Sequence, residues 1–318
     1  MKDRYTLPVL LLIFTVLAAG ILAASVLLYQ DQQTRYRTEV ERKLSAVADL
    51  KVDELSRWKK ERMADSNVFY RNAAFSTLAS RFFQRPQDES MERELRSWLG
   101  RVQESYQYDR IVLFDASGEA HMILADTKEP LSSATLQKAR EVMAAGKPAF
   151  DDFRRSEHTG EIHLRIFVPI LDESSGGQPL GAVMLRIDPN TYLYPYIQRW
   201  PTPSQTAETL LVRREGNEVV FLNELKYRKD SALSPRVSLD NKAVPAVSAV
   251  LGHEGIFAGI DYRGVPVLAA LRAVPDSPWF LEARMDAAEA FAPLRAQFWQ
   301  TVFTVGVLLF SAAASVGF

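Results

Sequence analysis

Two stretches, LGAVMLRIDP at Leu180–Pro189 and WFLEARMDA at Trp279–Ala287, decide the reading of this 318-residue chain. Both read as strands running into an aspartate, and Asp188 and Asp286 stand 98 residues apart. Gly118 and Gly216, each in a turn between two period-two segments, have the same separation. Upstream of Asp188 the pattern is Arg110–Asp115 and Glu119–Leu124 around a hairpin turn, then a helix over Ser132–Ala145. Ser132 or Ser133 caps that helix and Gly146 stops it. The strands Ala149–Arg154, Glu161–Leu171 and Leu180–Ile187 follow, joined by loops Ser156–Gly160 and Glu173–Gln178. The order then recurs: Glu208–Arg213, Glu218–Leu222, helix Ala243–Leu251, and strands Gly255–Tyr262, Val265–Val274 and Trp279–Met285. An internal repeat of strand–strand–helix–strand–strand–strand gives an α+β fold with two tandem five-stranded antiparallel sheets.

Outward from the repeat, the ends are apolar. Leu7–Tyr29 carries no charge over 23 residues, and Phe298–Phe318 none over 21. At about 1.5 Å per residue each crosses a hydrocarbon layer of about 30 Å. The first run is too long for a cleaved leader and continues past Ala23-Ala24-Ser25, so it reads as a signal anchor. Lys2 and Arg4 precede it but Arg35, Arg37, Arg42 and Lys43 follow, so flanking charge does not set its orientation. Between Pro8 and Pro86 there is no proline and Gly20 is the only glycine. With apolar residues at helical steps (Val40, Leu44, Val47, Leu55, Trp58), this predicts a stalk helix over about residues 30–83. The alternative is two helices broken near Asp65-Ser66-Asn67. A further helix covers Met91–Glu104.

The composition excludes several functions. With 38 Lys and Arg against 39 Asp and Glu the net charge is -1, which gives no general attraction for nucleic acid. The absence of cysteine removes disulfides, thiolate metal sites and thiol nucleophiles. No phosphate-binding loop, dinucleotide fingerprint, HExxH or GxSxG is present, so no catalytic residue and no cofactor are expected.

The chain resembles the double Cache (PDC-type) sensor regions of bacterial transmembrane receptors: sensor histidine kinases, diguanylate cyclases and chemoreceptors. The stretches that carry the resemblance are LKVDELSRWKKER at Leu50–Arg62, FDDFRRSEHTGEIHLRIFVPIL at Phe150–Leu171, GAVMLRIDPNTYLYPYIQRWPTPSQTAETLLVRREG at Gly181–Gly216 and DYRGVPVLAALRAVPDSPWFLEARMD at Asp261–Asp286. The resemblance implies membrane-anchored, PAS-like modules with residues 30–297 outside the inner membrane, a homodimer, a small-molecule ligand in the distal module, and an output domain, a histidine kinase first of all. The divisions expected are a tail at 1–6, a transmembrane helix at 7–29, stalk and following helix at 30–104, a distal module at 105–199, a proximal module at 200–290, and a second transmembrane helix at 291–318. The stop inside an apolar run reads as a truncated chain. Amino-acid-binding members carry an Arg-x-Trp-Tyr sequence before the third strand of the distal module; Leu136–Phe153 here lacks the Trp-Tyr pair, while the expected strand-end aspartate is present as Asp188.

Candidate ligand residues come from strand alternation. His163 and Arg165 share one face of their strand, Asp152 and Arg154 one face of theirs, and Arg186 and Asp188 one face of the last. Buried polar side chains on central strands need partners, and clustered Arg and His suit an organic anion through charge-assisted bonds. The ligand-binding set is therefore Asp152, Arg154, His163, Arg165 and Asp188. The competing reading is an internal Arg–Asp network, or an edge strand facing water. SEHTGEIH offers His158 and His163, but two histidines in loop and strand do not make a metal site. The proximal segment GIFAGIDYRGVPVLAALRAV is mostly apolar and reads as a packed spacer. Tyr192, Tyr194, Tyr196 and Trp200 read as packing between modules. The alternative from another class is a membrane-tethered structural protein, or a tethered enzyme, whose repeat binds no small molecule.

Overall fold

The structure, a computed structural model, describes residues 6–125, 129–172 and 176–317. Residues 1–5 of the tail, residues 173–175 of the loop before the fifth strand, and Phe318 lie outside them.

Helix α1 runs unbroken from Thr6 to Ala64, about 88 Å at 1.5 Å per residue. Its N-terminal part is long and apolar enough to cross a membrane, and Leu12, Val16, Leu17, Leu27 and Leu28 all point outward. The expectation of one helix to residue 83 is corrected. A 3₁₀ turn at Asp65–Val68 ends the rod, Arg71 takes a positive φ, and Asn72 starts α2 (Ala73–Gln84) by accepting from the Phe75 amide. The break falls where aspartate, serine and asparagine cluster, residues whose side chains compete for backbone bonds. Helix α3 (Glu89–Tyr106) begins at Asp88, whose carboxylate accepts the Ser90 and Met91 amides.

The first sheet comprises β1 (Arg110–Asp115), β2 (Ala120–Ala125), β3 (Ala149–Arg155), β4 (Ile162–Asp172) and β5 (Gln178–Ile187), in the order β2-β1-β5-β4-β3. Every pairing is antiparallel. Alternate residues fill two cores. Ile111, Leu113, Leu164 and Ile166 face α1 to α3, whereas Val112, Phe114, Phe167 and Met184 face α4 (Ser133–Ala145). The central strands are therefore buried on both faces. Gly181 is required by close packing: a Cβ there would sit 2.1 Å from the Phe114 carbonyl oxygen.

After α5 (Leu193–Gln198) comes the second sheet: β6 (Glu208–Glu215), β7 (Glu218–Phe221), β8 (Arg236–Ser238), β9 (Gly255–Ile260), β10 (Pro266–Ala273) and β11 (Trp279–Asp286), with α6 (Pro245–Val250) on one face. Its order is β8-β7-β6-β11-β10-β9. The repeat is thus visible in the topology, but β8 makes this sheet six-stranded where five were expected. The addition is three residues long and lies in the segment between β7 and α6, which has no counterpart pattern in the first copy.

The rod ties the modules together. Lys51 is buried and donates to the Tyr196, Ile197 and Arg199 carbonyls at the C-terminal end of α5, at 2.5, 3.1 and 2.5 Å. A cation is favourable at that end of a helix. Tyr192 bonds Glu54, Tyr194 bonds the Leu222 carbonyl and stacks on Phe153. These tyrosines join rod, first module and second module. The short α7 (Ala287–Ala290) then leads into α8 (Ala292–Gly317), which packs beside α1, with Tyr29 edge-on to Phe298.

Candidate functional site

Three arginines stand side by side across the first sheet. Arg110 on β1 is directly opposite Arg186 on β5, and Arg186 is opposite Arg165 on β4. All three are buried, on the α4 face. Like charges so placed demand carboxylates. Arg186 donates to Asp109 at 2.6 Å and to Glu129 at 2.6 Å. Arg110 reaches the same Glu129 oxygen at 3.4 Å. Arg165 donates to Asp151 through Nε at 2.8 Å and to the Thr135 hydroxyl, in the first turn of α4, at 2.6 Å. Arg154 shares Asp151 at 3.2 Å.

Asp151, rather than Asp152, joins this group because β3 is bulged. Asp151 pairs with Arg165 and Arg154 with His163, so β3 spans three residues where β4 spans two. The alternation assumed from sequence is reset there. The Asp152 carboxylate instead accepts from Arg213 of β6 at 2.5 Å and from the Trp279 indole at 2.8 Å. It is a tie between the modules and forms no part of the cavity wall.

A cavity of about 330 Å³ opens over the arginine row. Arg110, Arg165, Arg186 and His163 form its floor, Glu129 to Thr135 one wall, Arg154 to His158 another. Arg213, Glu215 and Arg236 of the second module stand at its edge. The first turn of α4 adds the positive end of its dipole. Behind His163 and Arg186 lies a second cavity of about 260 Å³, lined also by Asp109, Glu161, Asp188 and Asn190. Of the five residues chosen from sequence, Arg154, His163 and Arg165 meet in the first cavity and Asp188 lines the second. The Asp188 carboxylate accepts the Asn190 amide at 2.8 Å, an Asx turn.

The electrostatics of the floor are lopsided. Arg110, Arg165 and Arg186 are matched by Asp109, Glu129 and Asp151, and half-exposed Arg154 on the wall, sharing Asp151, adds one unbalanced positive charge. Burial would raise the Glu129 pKa, but hydrogen bonds from Ser156 and Arg186 and the two arginine charges outweigh it and hold it low. Burial first, then the charges of Arg165 and Arg186, push His163 down to about 4, so the ring is neutral at physiological pH. His163 is 8% exposed, and its Nδ1 has no partner within the protein. Such an atom is costly to leave dry. Arg110, Arg186, Glu129 and Asp151 were not selected from sequence. Strand alternation puts Arg186 on a polar face, but Arg110 shows no signal until its strand is known to pair with β5.

No protein-family model matches the chain, and no curated protein sequence matches it. Solved structures do. The ligand-binding domain of the Pseudomonas fluorescens chemoreceptor CtaA, in complex with L-isoleucine, superposes with a TM-score of 0.52 at 14% identity, over 82% of this chain and 98% of that one. The Campylobacter jejuni chemoreceptor Tlp3 domain, with L-valine, gives 0.57 at 10% identity, over 81% and 96%. The Pseudomonas aeruginosa PAO1 amino acid chemoreceptor PctC domain, with GABA, gives 0.50 at 18% identity, over 77% and 99%. The fold is the double Cache fold. The two copies of the fold differ sharply in what fills the equivalent position.

The second module is packed around a buried charged network of its own. Arg284 lies 98 residues after Arg186 and directly opposite Glu208, which lies 98 after Arg110. Arg284 donates to Glu208 at 2.7 Å and to Glu282 at 3.1 Å, all three buried. Tyr262 stacks against Arg284 and bonds Glu208. Arg263 pairs with Asp261 and Asp286. The sequence marks the Asp261–Gly264 turn as polar, but only the pairing of β6 with β11 brings Glu208, Glu282 and Arg284 into one internal network. Among the described residues, one group of three has metal-ligand types in reach, Asp115, Glu119 and His121. There the Asp115 carboxylate already accepts from Ser117, Glu119 and His121 within the hairpin turn.

Proposed function

We propose that this chain is the sensing region of a bacterial transmembrane receptor, and that the arginine-floored cavity of its first module binds a small organic anion. The observation that carries the proposal is the buried row Arg110–Arg186–Arg165 beside an unpartnered, neutral His163 at the floor of a 330 Å³ cavity. A carboxylate placed there neutralises the excess charge and takes a bond from the imidazole in a low-dielectric setting, where charge-assisted bonds are strong. The fold supports the reading, since the CtaA, Tlp3 and PctC domains were solved with amino acids or GABA bound. In this reading α1 anchors the chain, α8 is a second crossing, and both modules lie outside the inner membrane. A bound anion acts on the receptor only through its differential affinity for two arrangements of module, rod and α8.

The test is thermal unfolding of the full chain in detergent against a panel of carboxylic and amino acids at millimolar concentration. At least one acid is expected to raise the midpoint for the wild type and not for Arg186→Gln. No shift with any acid, or the same shift in both proteins, refutes the assignment. Topology is tested by a reporter fused after Leu50, where activity from a reporter that works only in the cytoplasm contradicts an external module.

A further inference from the structure

The two modules neutralise equivalent arginines in different ways. In the second module the carboxylates on Arg284 are strand residues: Glu208 sits directly opposite it on β6 and Glu282 two residues away on β11. Both are fixed by the sheet, and Arg284 lines neither of the two cavities described. In the first module the strand position equivalent to Glu208 is Arg110, a second cation. The carboxylate bridging Arg110 and Arg186 comes instead from Glu129, in the non-helical, non-strand segment before α4. Glu129 lines the cavity itself, and its third partner is the Ser156 hydroxyl on the opposite wall. With Glu129 in place, His163 Nδ1 and Arg110 Nε still lack partners. The floor has more hydrogen-bonding capacity than the protein's own groups use.

We infer that Glu129 is a built-in competitor: its side-chain carboxylate occupies the place on Arg110 and Arg186 that the carboxylate of a bound organic acid takes, and ligand binding displaces it. This rests on the anion-binding reading above and adds the residue that the ligand must replace. Exchange of one carboxylate for another is nearly isoenergetic on the arginines, so the ligand gains where displacement of Glu129 uncovers His163 Nδ1 and Arg110 Nε, both closed to solvent with Glu129 in place. Displacement also releases the side-chain anchors of the segment leading into Ser132, the N-cap of α4, and Thr135, the partner of Arg165, while the Glu129 carbonyl keeps its bond from Arg110. Occupancy of the cavity is thereby linked to the position of a helix. Without Glu129 the three floor arginines and Arg154 on the wall face two carboxylates, which favours acids of higher charge.

The experiment is calorimetric titration of the full chain in detergent with acetate, succinate and citrate, comparing wild type with Glu129→Gln. The variant keeps the shape of the side chain but removes the competing charge. Its affinity for the acid that binds is expected to rise about tenfold to a hundredfold, the range for bonds between charged groups. Ser156→Ala, which removes only the third anchor of Glu129, is expected to tighten binding by a smaller factor and serves if Glu129→Gln does not fold. Binding to the wild type that is unchanged or weakened in these variants overturns the inference and leaves the anion site standing. Binding of no acid to either form overturns both.

Discussion

His163 makes the charge balance of the cavity measurable. An exposed imidazole titrates near 6.5, and in the folded chain burial and the neighbouring Arg165 and Arg186 push His163 down to about 4, against weaker opposing pulls from Glu129 and Asp151. Between these values the unfolded chain takes up a proton that the folded chain refuses. Stability therefore falls as pH drops from about 6.5 toward 4, and is level above that window. The gap of 2.5, at about 1.36 kcal/mol each, gives about 3 kcal/mol. Many carboxylates titrate over the same range, so the comparison is with His163→Gln, which cannot ionise. Urea unfolding in mild detergent at a series of pH values is expected to show the wild type losing about 3 kcal/mol more than the variant between pH 7.5 and 4. A difference that stays constant across that range refutes the argument, because it means that His163 ionises as an exposed histidine does.

Other consequences follow from single contacts. Lys51→Met keeps the aliphatic stem but leaves the carbonyls at the end of α5 without a donor, and is expected to lower stability by about 3 kcal/mol, read by thermal unfolding. Arg284→Met strands Glu208 and Glu282 in the second module and is expected to destabilise by about 3–5 kcal/mol, whereas the triple change with Glu208→Leu and Glu282→Leu recovers most of it in the same assay. Gly181→Ala forces β1 and β5 apart at Phe114 and is expected to cost about 3 kcal/mol or to abolish folding, seen as loss of soluble detergent-extracted protein. Asp152→Asn removes the ion pair to Arg213 and is expected to speed limited proteolysis in the connector at residues 199–206, with little change in the near-ultraviolet spectrum.

Much of the architecture is legible in the sequence because periodicity changes where structure changes. The 98-residue offset between Asp188 and Asp286 reports two copies of one sheet, and Ser132 and Gly146 bracket α4 as cap and stop. The rod reads longer than it is because proline and glycine are absent from residue 21 to 85, while the break uses Asp65, Ser66 and Asn72, whose effect depends on capping geometry. The site is legible only in half. Alternation places His163 and Arg165 on one face, since β4 is regular. It fails for Asp152 because one inserted residue in β3 reverses every side chain beyond it. Arg110 and Glu129 need long-range pairing to come together, and local pattern carries no such information.

The most direct test is to watch the cavity floor itself. With the full chain labelled at its histidine ring nitrogens, and the His163 signals assigned by comparison with His163→Gln, addition of an acid that raises thermal stability is expected to shift the His163 Nδ1 resonance to that of a bonded nitrogen. The apparent pKa of the ring should rise from about 4 as a carboxylate settles beside it. His163 signals that stay fixed at saturating acid, or shifts confined to His121, His158 and His253, would contradict the arginine row as the place where this protein holds its ligand.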